Sequence, residues 1–133
     1  MKIFIDTNIF LDLILKREKY HEALNIFDAI EQNKFEAIIL DITILNIDYI
    51  AKKQTKEIRE FLTLVNKLFK IVGASNQNIK DALHITNNDL EDNLQYITAK
   101  NEKCDLIITN DKKFLKSNIK VLTSNKFCIE YIN

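Results

Sequence analysis

The sequence predicts an α/β fold in which helices cover both faces of a parallel central sheet, giving three α/β/α layers. Short apolar segments of strand type alternate with longer segments of helical periodicity, as is typical of parallel sheets. The chain has 133 residues, close to the commonest domain size. Hydrophobic residues make up 47% of it, which indicates an ordered core. We therefore expect one domain, residues 1–133, with a Rossmann-like sheet.

The first third of the chain predicts two strands and two helices. Residues 2–5, KIFI, are a short apolar strand. Apolar residues then recur at helical spacing in segments 7–16 and 19–32. Residues 35–40, FEAIIL, are rich in β-branched residues and predict the second strand.

The middle third predicts helices over 42–52 and 55–69 from the same periodicity. The short KIV segment, 70–72, is the third predicted strand. Ser75 is a suitable N-cap for a helix over 76–85. This order repeats the alternation of the first third.

The last third predicts a helix over 90–102, followed by the strand DLIIT at 105–109. Residues 111–116 are predicted as a short helix, 119–122 as the last strand and 124–132 as the closing helix. All five strands are thus separated by helices, which favours parallel pairing throughout.

The composition excludes several classes of protein. The single glycine, Gly73, excludes glycine-rich phosphate loops. The formal net charge is zero, so there is no strong overall attraction for nucleic acid. The longest apolar runs are too short and too often interrupted by charge to span a membrane. Cys104 and Cys128 form no CxxC motif, and we expect reduced core thiols in a cytoplasmic protein.

Polar residues follow several predicted strands, where ligands bind in open α/β sheets. Asp6 interrupts the apolar run KIFIDTNIFLDLILK at the end of the first strand. Unpaired buried charges are costly, and converging carboxylates repel one another unless a cation lies between them. Hard oxygen ligands suit Mg²⁺ or Mn²⁺. The other polar residues placed near strand ends are Asp41, Asn46, Asp48, Asp89, Glu91, Asp92, Thr109, Asn110 and Asp111.

Each of these acids also has a structural interpretation. Asp89 is a good N-cap, and Asp92 three residues later resembles a capping box. Asp41 and Asp111 could cap the helices that follow them. Asp6 could bond to its own turn. A functional site is favoured only because acids follow several of the predicted strands and would lie close together.

These residues resemble PIN domains, a family of metal-dependent ribonucleases that includes the VapC-type toxins of bacterial toxin–antitoxin pairs. FIDTNIFLDLIL resembles the family's opening motif, a strand that ends in Asp-Thr-Asn and runs into a helix. Residues 89–114 resemble its second half, with an acidic helix start, a strand and a Thr-x-Asp motif. The similarity covers essentially the whole chain in element order.

The resemblance implies a role for each matching residue. Asp6, Asp92 and Asp111 match the catalytic, metal-binding carboxylates. The residues that would support the site are Asn8, Asn46, Asp89, Glu91 and Thr109. Asn46 departs from the family, which usually has Glu there, and Asp48 lies about 200° round the helix from it.

The implied reaction is hydrolysis of RNA phosphodiester bonds with one or two Mg²⁺ or Mn²⁺ ions. Lys112 and Lys113 directly follow Asp111 and would contact the RNA backbone. Further basic residues with the same implied role are Lys52, Lys53, Lys56, Arg59 and Lys116. The resemblance also implies an antitoxin protein and a second copy of the chain as candidate partners.

Two other functions stay open. Asn46 motivates a non-catalytic module that binds RNA or a partner protein on the same scaffold. A phosphatase or phospho-receiver domain also places an Asp after a strand. However, the phosphatase pattern requires a second acid where Asn8 stands, and a receiver requires an Asp where the sequence has VGASN.

Overall fold

The computed structural model describes residues 1–114 and 118–133. The strands are β1 (Lys2–Ile5), β2 (Glu36–Leu40), β3 (Lys70–Val72), β4 (Leu106–Ile108) and β5 (Lys120–Leu122). The helices are α1 (Thr7–Ile14), α2 (Tyr20–Glu31), α3 (Asp41–Ala51), α4 (Ile58–Leu68), α5 (Asn76–His84), α6 (Leu90–Asn101) and α7 (Ser124–Phe127). A π-helical turn, Cys128–Ile132, follows α7.

The five strands form one parallel sheet in the order β3-β2-β1-β4-β5. The central strand, β1, pairs with β2 on one side and with β4 on the other, so that Phe4 lies opposite Ile38 and Ile107. The chain builds β2 and β3 outward from one side of β1 and then returns to build β4 and β5 on the other. The topological reversal therefore lies between β1 and β4.

Alternate residues of the central strands supply two separate cores, because successive side chains point to opposite faces of a sheet. On one face Ile3 and Ile5 pack in a cluster that also holds Phe10 and Phe27 from α1 and α2. On the other face Phe4 packs in a cluster drawn from β2, α5 and α6. Helices on both faces confirm the predicted three-layer α/β/α class. No helix of the described residues is long and apolar enough to cross a membrane.

The structure corrects two predicted helices. Residues 111–114 form a turn instead of the start of a helix over 111–116, because the Phe114 N–H bonds back to the Asp111 carbonyl (3.1 Å). Residues 115–116 of that predicted helix lie outside the described residues. The closing helix is α-helical only over Ser124–Phe127 and changes to π-helical hydrogen bonding afterwards.

Candidate metal centre

Asp6 follows β1 at the topological reversal, and only 3% of its surface is exposed. Its N–H donates to the Ile108 carbonyl (3.0 Å), which continues the ladder between β1 and β4. Its carboxylate accepts the Thr109 hydroxyl on Oδ2 (2.7 Å) and the Gln95 amide on Oδ1 (3.1 Å). Burial raises the pKa of the Asp6 carboxyl, and these hydrogen bonds lower it. Both donors are neutral, so they stabilise an ionised Asp6 by hydrogen bonding but supply no opposite charge.

Thr109 connects Asp6 to a second acid. The same Thr109 hydroxyl oxygen accepts the backbone N–H of Asp111 (3.1 Å). The Asp111 side chain then accepts the backbone N–H of Lys113 (2.8 Å), which closes the turn after β4. One hydroxyl therefore fixes the positions of two carboxylates that lie at the ends of neighbouring strands.

The start of α6 supplies the other acids. Asp89 is the N-cap, and its Oδ1 accepts the backbone N–H of Asp92 (3.0 Å). The predicted cap is therefore correct. Asp92 lies in the first helical turn with 6% of its surface exposed. The capping interaction thus places Asp92 facing inward, toward the end of the sheet.

Three carboxylates converge at this point. One oxygen from each of Asp89, Asp92 and Asp111 lies within 4.8 Å of the other two. Burial and, after it, the charges of Asp89, Asp6 and Asp111 together raise the pKa of Asp92 to about 7. Asp92 Oδ2 is buried, and nothing among the described residues donates a hydrogen bond to it. Repelling carboxylates with an unpartnered oxygen fit a divalent cation with hard oxygen ligands.

The sequence predicted Asp6, Asp92 and Asp111 as the metal-binding set. The structure gathers Asp92 and Asp111 with Asp89, and it places Asp6 beside them, bonded through Thr109. The charge of Asp111 raises the pKa of Asp6, and that of Asp6 raises the pKa of Asp92, so the acids interact electrostatically. Asp89 was predicted as a supporting residue, and here it shares the cluster while also capping α6.

The remaining predicted supporting residues take different positions. Glu91 Oε2 accepts the Thr7 hydroxyl (3.1 Å) and the Gln95 amide (3.3 Å), which joins the starts of α1 and α6. Asn8 is exposed on α1 and lines a cleft of about 510 Å³ beside Asp111. Asn46 is half-buried on α3, and no hydrogen bond of its side chain occurs among the described residues.

The described basic residues of the predicted RNA-binding set are exposed, and all but Arg59, which lies on α4, are on turns or loops. Lys112 and Lys113 form the turn directly after Asp111, and both are exposed. Three further lysines line a cavity of about 590 Å³ between α3 and α4; these are Lys52, Lys53 and Lys56. Arg59 lines a separate groove between the same helices. Lys116 lies outside the described residues.

A second polar cluster lies next to the acids. The Asn110 amide donates to the Ser124 hydroxyl (3.0 Å) and more weakly to Asp12 Oδ2 (3.4 Å). Asn110 Oδ1 accepts the Ser124 backbone N–H (3.0 Å), which ties the end of β4 to the start of α7. Burial raises the pKa of Asp12, whereas Asn110 and the charge of Arg17 lower it.

Sequence reasoning missed Gln95 and Asp12. Gln95 lies three residues after Asp92 on α6, a spacing that places side chains on one helix face. A polar residue at this spacing from an acid was the available signal, and its burial could not be read from the sequence. The sequence predicted no role for Asp12, because it is a single charged residue within a predicted helix.

Comparison with known proteins assigns the fold to a family. The family model described as PIN domain matches residues 2–113. The chain belongs to the PIN domain family. This confirms the resemblance that the two sequence motifs predicted.

The chain is similar to Ribonuclease VapC1 of Aquifex aeolicus (strain VF5), with 30% identity over 135 residues that cover 96% of this chain and 93% of VapC1. Among solved structures, it is similar to a chain of a toxin-antitoxin complex from Klebsiella pneumoniae, with a TM-score of 0.70, 26% identity and coverage of 92% and 97% of the two chains. A chain of VapBC2 from Rickettsia felis, bound to a DNA fragment from their promoter, shares the fold alone, with a TM-score of 0.67, 18% identity and the same coverage.

Proposed function

We propose that this PIN domain is a divalent-metal-dependent endoribonuclease. The convergence of Asp89, Asp92 and Asp111 around a buried, unpartnered carboxylate oxygen carries the proposal. The site lies at the topological reversal of the sheet, where ligands bind in open α/β folds. Its similarity to a protein named Ribonuclease VapC1 supports RNA as the substrate.

The acids would hold the ion, with Asp92 and Asp111 as ligands and Asp89 and Asp6 completing the negative site. A bound Mg²⁺ or Mn²⁺ supplies an acidified water for in-line attack and offsets charge on the phosphate. Thr109 keeps Asp6 and Asp111 in fixed orientations through its one hydroxyl. Asp92, with its pKa raised to about 7, must lose its proton to act as a ligand.

The exposed turn after Asp111 would bind the RNA backbone. Lys112 and Lys113 present their charges within two residues of the acid cluster. An acidic site repels phosphates, and neighbouring lysines offset that repulsion. RNA therefore approaches from the side of this turn, with the phosphate directed to the carboxylates.

We further propose a protein partner for the chain. The similarity to a chain of a toxin-antitoxin complex supports a toxin inhibited by an antitoxin. Leu45 and Tyr49 are 69% and 75% exposed one helical turn apart on α3, so they form an apolar face. Exposed apolar patches mark interaction sites, and an antitoxin or a second copy of this chain would cover this one.

The second candidate function is a binding module without catalysis. It is favoured by Asn46, a neutral residue at the position where the family usually has Glu. Such a module holds RNA without metal and tolerates the loss of its acids. The two functions therefore differ in their dependence on metal.

The test incubates the purified protein with a mixed RNA pool in Mn²⁺, in Mg²⁺ and in EDTA, beside Asp6→Asn. Asp28→Asn, an exposed position on α2, is the matched control. We expect cleavage that requires metal, survives in Asp28→Asn and is lost in Asp6→Asn. RNA binding in EDTA that Asp6→Asn retains, without cleavage in any condition, would establish the binding module instead.

A further inference from the structure

One buried amide connects two carboxylates at the metal centre. Gln95 is fully buried on α6, one turn after Asp92. Its Nε2 donates to Asp6 Oδ1 (3.1 Å) and to Glu91 Oε2 (3.3 Å). The Glu91 carboxylate also accepts the Thr7 hydroxyl (3.1 Å). Gln95 therefore lies between the strand end that carries Asp6 and the helix starts that carry Thr7 and Glu91.

The orientation of the Gln95 amide follows from chemistry. Ionised carboxylates only accept hydrogen bonds, so the NH₂ group must face Asp6 and Glu91. Gln95 Oε1 is consequently buried, and none of the described residues donates to it. A buried acceptor without a donor costs folding free energy, which an apolar side chain of similar length would avoid. Packing alone therefore does not account for a glutamine here.

Gln95 completes the restraint on Asp6. The Thr109 hydroxyl holds Oδ2 and the Gln95 amide holds Oδ1, so the Asp6 carboxylate plane cannot rotate freely. Neither Asp6 nor Glu91 is one of the three converging acids, Asp89, Asp92 and Asp111. Thr109 connects Asp6 to Asp111 of that group, whereas Glu91, on the other side of the amide, bonds to Thr7 at the start of α1. The amide thus lies between an acid connected to the converging group and an acid that bonds elsewhere.

We propose that Gln95 is a positioning residue of the metal centre, which orients Asp6 toward the converging acids and holds Glu91 away from the cation. This inference rests on the proposed metal-dependent function. Hydrogen-bond partners that orient metal ligands typically contribute 10- to 100-fold to metal affinity or activity.

The first test compares Mn²⁺ binding by wild type, Gln95→Met and Gln77→Met in calorimetry. Methionine keeps the length of the side chain and removes the amide. Gln77 is an exposed glutamine on α5 with one hydrogen bond to Asp81 (2.8 Å), so it is a matched control. We expect the Kd for Mn²⁺ to rise at least about tenfold in Gln95→Met and to stay unchanged in Gln77→Met.

Thermal unfolding in EDTA and the EPR spectrum of bound Mn²⁺ separate positioning from packing. We expect Gln95→Met to melt close to the wild-type temperature, because removal of the unpartnered Oε1 offsets the lost hydrogen bonds to Asp6 and Glu91. We also expect a broadened Mn²⁺ spectrum from a less ordered Asp6. An unchanged Kd and spectrum together with a lower melting temperature would make Gln95 merely structural and overturn the inference.

A second variant tests the position of Glu91. Glu91→Gln removes the charge but keeps the shape of the side chain and an oxygen that can accept the Gln95 amide. We expect its Kd for Mn²⁺ to rise less than that of Gln95→Met, because Glu91 lies outside the converging acids. A larger rise than in Gln95→Met would make Glu91 a ligand and overturn the assignment.

The outcomes also separate this inference from the nuclease proposal. Mn²⁺ binding by wild type without RNA cleavage would contradict the nuclease, while the ratio of Kd values would still decide the role of Gln95. Absence of Mn²⁺ binding by wild type would overturn both.

Discussion

Asp6 and Asp12 are both buried aspartates at α1, and the difference between them lies in the charges that surround each carboxyl. Each accepts a hydrogen bond from a residue just after β4, Asp6 from Thr109 and Asp12 from Asn110. Burial raises the pKa of both carboxyls. Next to Asp12, the Asn110 amide and the charge of Arg17 lower the pKa, and the charges of Asp6 and Glu22 raise it.

The surroundings of Asp6 differ in the acids that converge there. Hydrogen bonds from Thr109 and Gln95 lower its pKa, the charge of Asp111 raises it, and Asp111 converges with Asp89 and Asp92 beside it. Among the described residues, no comparable group of acids gathers around Asp12. A buried aspartate is therefore not by itself a sign of a metal site. The feature on which the proposed metal site rests is the group of carboxylates that converge beside Asp6.

The largest expected effect tests this comparison directly. Asp111→Asn removes one of the converging acids, and we expect its metal-dependent RNA cleavage to fall at least about 100-fold, more than the loss of an outer hydrogen-bond partner causes. Asp12→Asn keeps the shape of the second cluster, and its cleavage rate should stay within about threefold. Initial rates on one RNA substrate at saturating Mn²⁺ measure both, and an equal loss in both variants would show that the two clusters act as one.

Loss of Asn110 should affect stability more than metal binding. Asn110→Ala removes the hydrogen bonds to Ser124 and Asp12 and leaves a buried carboxylate without its donor. We expect a loss of roughly 1–3 kcal/mol in the free energy of unfolding, the cost of leaving such a group unsatisfied. Urea denaturation in EDTA measures it. Asn125→Ala, an exposed position on α7, is the control and should change little.

The pH dependence of stability sharpens the comparison further. Asp92 has its pKa raised from 3.8 to about 7, so between these values the folded metal-free protein holds a proton that the unfolded chain has lost. The free energy of unfolding must then fall as the pH rises from about 4 to 7, and level off above 7. Melting temperatures in EDTA across this range should show the fall in wild type and a flatter profile in Asp92→Asn. The same slope in both proteins would assign the titration to other groups.

The smallest expected effect concerns Asn46. Asn46→Glu introduces the acid that the resemblance to PIN domains implies at this position, and we expect the added negative charge to strengthen Mn²⁺ binding by a few-fold. Asn66→Glu, an exposed position on α4, adds the same charge elsewhere and should leave the Kd unchanged. Equal changes in the Kd of both variants would show that the effect comes from overall charge and not from the position of residue 46.

Much of this architecture could be predicted from local sequence. The strand KIFI and the strand within DLIIT are apolar segments bounded by polar residues, and the acids after them must lie at the same edge of a parallel sheet. Asp89 was interpretable as a cap from its position before a helical segment, and it is one. Local patterns sufficed because capping and strand burial are local properties.

The features that were missed depend on distant partners. The hydrogen bond of Gln95 to Asp6 spans 89 positions, so the periodicity of α6 could not reveal the burial of this amide. The segment after Asp111 has helix-forming residues, yet the Asp111 side chain accepts the Lys113 N–H and closes a turn instead. A side chain can accept a backbone N–H in this way only where the tertiary structure holds it in the right position. Here the Thr109 hydroxyl holds Asp111 by accepting its backbone N–H.

The central position of β1 has a consequence for biosynthesis. Asp6 is made before its Thr109 partner, which comes 103 positions later. At about 5–20 residues per second, a ribosome takes roughly 5–20 seconds to make the intervening chain. During that time β1 has no β4 to pair with, and Asp111 does not yet exist. A nascent chain that stalls before Thr109 therefore leaves the ribosome without an assembled acid cluster, whatever the residues made before Thr109 have folded into.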